Sequence, residues 1–226
     1  METFNDDDQA QQLKDWWKQN WQPVLLGLGL SIGGVLGWNS WQAHKAGQAE
    51  LASGHFEQVR LSLAAGNLEA ANDAQQNLID EFSSSAYAAQ GAMSLAQHYV
   101  EANDYASAAA HLQWAAAEAD DEKLAHIATL RLARLHWAQG ENETALTFLT
   151  GSNQGAFASL YAELRGDILL SQGDVDAARR AYQDALALSQ ADDFAAAAGV
   201  GRADLQSKLD DLAPAAPATD SAAADL

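Results

Sequence analysis

Six histidines, His44, His55, His98, His111, His126 and His136, are the side chains best suited to ligate a metal or shuttle a proton. None falls in an H-E-x-x-H pattern or another metal-ligand spacing. His136 takes a core position of the repeat described below, and His98 and His111 read as ordinary helix residues. The runs Asp6-Asp7-Asp8 and Asp120-Asp121-Glu122 could attract a cation, but they read more simply as a solvated tail and an acidic first helical turn. There is no glycine loop with a lysine for phosphate and no G-x-S-x-G elbow. There is no cysteine either, which removes disulfides, thiolate zinc sites and a lipidated Cys. These residues predict no enzyme, no metal, no cofactor and no small-molecule substrate. With 31 acidic against 12 basic side chains the formal net charge is -19, which would repel a phosphate backbone and excludes nucleic-acid binding.

The elements that carry these residues are legible as a repeat. Four turn-like sites, AAGNLEAA at Gly66, EANDYASA at Asn103, AQGENETA at Gly140 and SQGDVDAA at Gly173, are spaced by 37, 37 and 33 residues. Each has Gly or Asn where a helix would end, then a polar residue, then an alanine five positions on. The flanks recur as well. Ala96, Ala133 and Gly166 before the turns, and Ala108, Ala145 and Ala178 after them, let two helices approach closely. Larger residues such as Tyr99, Leu149 and Tyr182 fill the space between. The pattern resembles the tetratricopeptide repeat, about 34 residues per helix hairpin. It predicts an all-α fold: a tetratricopeptide-like superhelix of hairpins over residues 42–212. The hairpin around Gly66 is degenerate, with Gln58, Ser62 and Gln75 at apolar positions, and Arg165 replaces a leucine. A helix over 192–212 caps the open end, using Phe194, Val200, Leu205 and Leu209. The Ala/Pro-rich stretch 213–226 predicts a disordered tail.

The first helices of such hairpins line a concave face that receives a peptide or a helix. Residues on them not claimed by the core pattern are candidates for contact: Met93 and Gln97, then Arg134 and Trp137, then Glu163 and Asp167. Arg and Trp are the types most enriched in binding hot spots. Trp137 has an alternative role, sealing one hairpin against the next.

The stretch WQPVLLGLGLSIGGVLGWNSW, Trp21 to Trp41, belongs to none of this. No charged residue lies between Gln19 and Ala43. Its 21 residues span about 31 Å as a helix, close to the hydrocarbon thickness of a bilayer. Trp16, Trp17, Trp21, Trp38 and Trp41 stand at its two ends, where indoles favour the headgroup region. A cleaved signal would want a basic start and a small-x-small site, and a core helix needs no aromatic ends. The segment therefore predicts a single uncleaved transmembrane helix over 21–41 in contact with membrane lipid. Lys14 and Lys18 before it, against Lys45 and the more distant Arg60 after it, give a slight preference for a cytoplasmic N-terminus. Residues 1–20 are then a cytoplasmic acidic tail and the repeat domain is periplasmic. Gly29, Gly33 and Gly37 fall four apart, a stripe that lets another membrane helix approach.

Taken together, the acidic start, the glycine-rich span ending in GWNSWQAH, the repeats and LRGDILLSQGDVDAARRAY resemble the YfgM family of proteobacterial inner-membrane proteins. The resemblance runs from about Phe4 to Leu212. It implies an ancillary subunit of the SecYEG translocon, a scaffold whose periplasmic repeats work with the membrane-anchored chaperone PpiD. It brings no catalytic residues. The same architecture would also serve an envelope-assembly or cell-division adaptor with a different partner.

Overall fold

The computed structural model describes residues 4–151, 154–189 and 201–212, with residues 4–10 and 13 described by their backbone alone. Phe194, Val200, Ser152 and the tail 213–226 lie outside the described residues, as does the part of the expected capping helix before residue 201. All regular structure among the described residues is helical. Packing divides the chain into two units, residues 1–53 and 54–226.

The first unit is helical from Phe4 onward, and its helix, α1, runs through Ser53 to end at Ala64 (Phe4–Ala64). Pro23 lies inside it. Among the described residues α1 is the one helix long and apolar enough to cross a membrane. Its large side chains, including Trp16, Leu26, Leu30, Leu36, Trp38 and Trp41, are exposed. Two of the polar side chains there return to the helix itself. Ser31 Oγ donates to the Gly27 carbonyl at 2.8 Å, and Asn20 Nδ2 to the Trp16 carbonyl at 2.8 Å. Such back-bonding satisfies the Ser31 hydroxyl proton and one Asn20 amide proton within the helix, where water is absent. The Trp38 and Trp41 rings stand 5.1 Å apart, and the Lys45 ammonium lies 4.6 Å above the Trp41 ring.

The second unit begins with the last turns of α1. It continues with α2 (Leu68–Phe82), α3 (Ala86–Glu101), α4 (Tyr105–Glu118), α5 (Glu122–Ala138) and α6 (Asn142–Phe148). A 3₁₀ turn (Gly155–Phe157), α7 (Ala158–Ser171), α8 (Val175–Ser189) and α9 (Arg202–Asp211) complete it. Each helix from α2 to α8 packs on the next, α3 also touches α5, α5 touches α7, and α9 packs on α8. That connectivity is a stack of helix hairpins, the architecture the repeat predicts.

Four hairpin turns share one geometry. Gly66, Asn103, Gly140 and Gly173 have φ of 71°, 60°, 78° and 83°. The next N–H reaches back five residues in each: Asn67 to Ser62, Asp104 to Tyr99, Glu141 to His136 and Asp174 to Leu169, at 2.8–3.0 Å. This is the Schellman ending, which needs a left-handed residue after the helix, and Gly or Asn adopts that conformation at least cost. Three of those following residues then cap the second helix. Asn67, Asp104 and Asp174 accept from the N–H of Ala70, Ser107 and Ala177. The two bonds to Ser107, side chain first and backbone second, hold the Asp104 carboxyl below its ordinary range.

The core follows the same register. Ala71, Ala108, Ala145 and Ala178 are all fully buried. Opposite them stand Val59, Ala96, Ala133 and Gly166, and the larger position of the second helix holds Gln75, Leu112, Leu149 and Tyr182, all buried. Gln75, a polar residue where an apolar one is expected, donates from Nε2 to the Ala88 carbonyl at 2.9 Å. Ser62 of the same hairpin likewise sits buried, with Gln58 Nε2 3.4 Å away. At the other end, Gly166 compensates for Tyr182. A Cβ on Gly166 would lie 2.5 and 2.6 Å from the Tyr182 ring. Where the second helix supplies leucine the first supplies alanine, and where it supplies tyrosine the first gives up its Cβ.

An aromatic pair also repeats. Tyr99 stacks on His111 with centroids 5.4 Å apart and planes at 15°; 37 residues on, His136 stacks on Phe148 at 5.4 Å and 16°. Burial holds the His111 imidazole below its ordinary value of 6.5.

Candidate interaction groove

The candidate residues on α3, α5 and α7 separate into three environments. Met93 and Gln97 from α3 and Arg134 from α5 line one cavity of about 400 Å³. Its walls are mostly apolar, and Val100, Tyr105 and Leu135 contribute. Arg131 joins Arg134 there, one turn earlier on α5. Sequence reasoning missed Arg131, although the i, i+3 spacing placed it on the face of Arg134. Tyr105 was missed too, because it follows a turn and was not on a first helix. Gln97 Nε2 donates to Glu101 Oε1 at 3.1 Å. Gln97 also lines a second, more polar hollow of about 280 Å³, with Arg60, Ser94, His98 and Glu101.

Arg131 and Arg134 are exposed, and among the described residues neither makes an ion pair. Arg60 pairs with Glu57, Arg165 with Asp184 and Arg179 with Asp176, whereas Lys123, Arg180 and Arg202, like the two α5 arginines, make no ion pair among the described residues. Two guanidiniums one helical turn apart repel each other mildly.

Trp137 stands in a different setting. Its indole Nε1 donates to Ser171 Oγ on α7 at 3.0 Å, and its ring packs on the cluster of Leu130, Ala133, Leu149, Leu164 and Ile168. It therefore joins the third hairpin, which turns at Gly140, to the fourth, which turns at Gly173, and does not line the cavity beside Arg134.

Glu163 and Asp167 are engaged within the chain. Lys208 of α9 donates to Glu163 Oε1 at 2.7 Å and to Asp167 Oδ1 at 2.8 Å, while the Tyr182 hydroxyl donates to Asp167 Oδ1 at 2.8 Å. Burial works to depress the Lys208 ammonium, but Asp167 and then Glu163 outweigh it and hold its pKa above the ordinary value. Burial, the hydrogen bond to Asp167 and the nearby carboxylates push the Tyr182 phenol well up, so it stays protonated as the donor. Sequence reasoning could not pair these groups, because the partners lie 41 and 45 residues apart and no local pattern links them.

A Cβ built on Gly29, Gly33 or Gly37 meets nothing within 4 Å, so the stripe faces open space within the chain. Among the described residues no group of three or more His, Asp or Glu side chains is placed to hold a metal ion. His126 Nδ1 lies 3.0 Å from the Tyr161 hydroxyl and its ring stacks on Phe157, and His136 Nδ1 lies 2.7 Å from Glu141 Oε2. These histidines sit in aromatic packing and turn contacts.

Residues 14–214 match the family model of the Tetratricopeptide repeat-like domain. A protein of Haemophilus influenzae named Ancillary SecYEG translocon subunit is 30% identical over 187 residues, 81% of this chain and 89% of its own. A protein of the same name from Escherichia coli is 30% identical over 184 residues, 81% of this chain and 88% of its own. The chain belongs to the family of ancillary SecYEG translocon subunits. Among solved structures, the MamA protein superposes with a TM-score of 0.45 at 15% identity, covering 72% of this chain and 90% of MamA. The matched span includes the apolar helix from Lys14 onward as well as the repeats.

Proposed function

We propose that this chain is a membrane-anchored interaction scaffold, an ancillary subunit of the SecYEG translocon, and carries out no catalysis. The observation that carries the proposal is the 30% identity to proteins of that name over 81% of the chain. Two features of the chain support it. The apolar helix with tryptophans at both ends is suited to hold the protein in the inner membrane in contact with lipid. The stacked hairpins offer a mostly apolar cavity lined by Arg131 and Arg134, which make no ion pair among the described residues.

In the finer reading, Lys14 and Lys18 keep the N-terminus cytoplasmic, and the repeats stand in the periplasm, where they link protein exit to a chaperone such as PpiD. Gly29, Gly33 and Gly37 give the anchor a face on which a translocon helix can pack closely. Affinity purification of the full chain from detergent-solubilised membranes tests the scaffold reading: translocon subunits should co-purify, and recovery without any of them contradicts it. A topology reporter fused after Leu212 tests the orientation. Periplasmic signal is the expected result, and cytoplasmic signal overturns the compartment and the chaperone link together.

A further inference from the structure

We infer that the cavity between α3, α4 and α5 receives a large apolar side chain of a partner polypeptide, with a carboxylate of the same segment bound between Arg131 and Arg134. This rests on the scaffold reading above and names the chemistry of the segment it would hold.

Three observations lead there. The first is volume and character: a cavity of about 400 Å³ with mostly apolar walls is within the range that binding sites use. The second is charge. In the second unit Arg60, Arg165, Arg179 and Lys208 are paired with carboxylates, while Lys123, Arg131, Arg134, Arg180 and Arg202 make no ion pair among the described residues. Arg131 and Arg134, both lining the cavity, have no carboxylate partner among the described residues. A planar guanidinium is suited to a carboxylate through two parallel hydrogen bonds, so two on adjacent turns make a receptor for one or two acidic groups. The third is continuity. Gln97 is shared with the neighbouring hollow, whose lining of Arg60, Ser94, His98 and Glu101 is polar and of mixed charge. An apolar and a polar hollow that adjoin at Gln97 suit a polypeptide, whose side chains alternate in character, better than an acyl chain. A long polyanion is excluded by the net charge of -19, but one or two carboxylates are not.

The test is selection of a random peptide display library on the full chain in phosphatidylcholine nanodiscs, against empty nanodiscs. The expected result is enrichment of peptides with Asp or Glu within two positions of Leu, Phe, Trp or Met. Replacing their carboxylates by amides should weaken binding at least tenfold. Arg131→Gln with Arg134→Gln should weaken it to the same extent, while Arg180→Gln, away from the cavity, changes nothing; helical content by circular dichroism confirms that the variants fold. Absence of enrichment, enrichment of basic peptides, or enrichment indifferent to the paired arginine substitutions overturns the inference. So does enrichment that appears only after deletion of residues 213–226, which would make the chain's own tail the occupant. Loss of enrichment when phosphatidylglycerol replaces phosphatidylcholine would assign the site to anionic lipid. Translocon co-purification is read separately on the same variants. If it persists while peptide selection fails, the inference falls and the scaffold reading stands; if it fails while selection succeeds, the scaffold reading falls.

Discussion

The hairpins at the middle of the stack and the hairpin at its end carry charged residues on corresponding first helices, and they use them oppositely. On α5, Arg131 and Arg134 border an apolar cavity and make no ion pair among the described residues. On α7, Glu163 and Asp167 are held by Lys208 and the Tyr182 hydroxyl, which fasten α9 over the end of the stack. A residue's place in a repeat therefore does not settle its role. What settles it is whether the fold supplies an internal group of opposite charge. Where the last hairpin needs closing, polar groups are spent on closure, and where the stack continues, neighbouring hairpins close it and leave charge available.

The strongest way to break the comparison is at Gly166. Its Cα side meets the Tyr182 ring so closely that Gly166→Ala forces the ring or the helix to move, with an expected loss of about 2–3 kcal/mol in stability by denaturant unfolding. Tyr182→Leu in the same chain should restore much of that loss, because Leu112 and Leu149 already pair with Ala96 and Ala133. Additive losses in the double variant would contradict the size compensation.

Next in size is Lys208→Met. It leaves two partly buried carboxylates without their cation, and a loss of about 1–3 kcal/mol is expected. Arg134→Ala, by contrast, should stay within about 0.5 kcal/mol of the parent because it removes no internal partner. Equal effects of the two substitutions on the melting temperature would erase the distinction drawn between the two regions. The pH response adds a sign. The raised Lys208 pKa means that its contribution is complete below the ordinary value of 10.5 and is lost as pH rises through the folded value.

The smallest expected effect concerns the aromatic pairs. Because burial depresses the folded pKa of His111, its stability contribution is present above 6.5 and is lost as pH falls through the folded value. His111→Phe, which copies Phe148 at the same position of the next hairpin, should flatten the decline in melting temperature below pH 6.5. An unchanged slope would assign the decline to other groups.

Much of this is legible in the sequence, for a physical reason that differs by element. The turns at Gly66, Asn103, Gly140 and Gly173 could be read because a left-handed residue restricts the amino acid directly. The small and large positions could be read because close helix packing restricts volume. The degenerate first hairpin was visible as Gln58, Ser62 and Gln75, but the way Gln75 is buried, bonded to the Ala88 carbonyl, was not. The candidate groove was legible only in part. Met93, Gln97 and Arg134 meet at one cavity, whereas Trp137 turns to Ser171 and the two acids turn to Lys208. A helix surface presents charge and aromatic rings by spacing, but spacing carries no record of which distant side chain will reach them.

The central claim, that the apolar helix docks this scaffold on the translocon, is tested most directly by photo-crosslinking in native membranes from a probe at Ile32, beside Gly33. The account predicts an adduct with a SecYEG subunit, reduced when Gly29 and Gly33 are both replaced by leucine. Adducts with lipid alone, or with membrane proteins unrelated to the translocon, would contradict it.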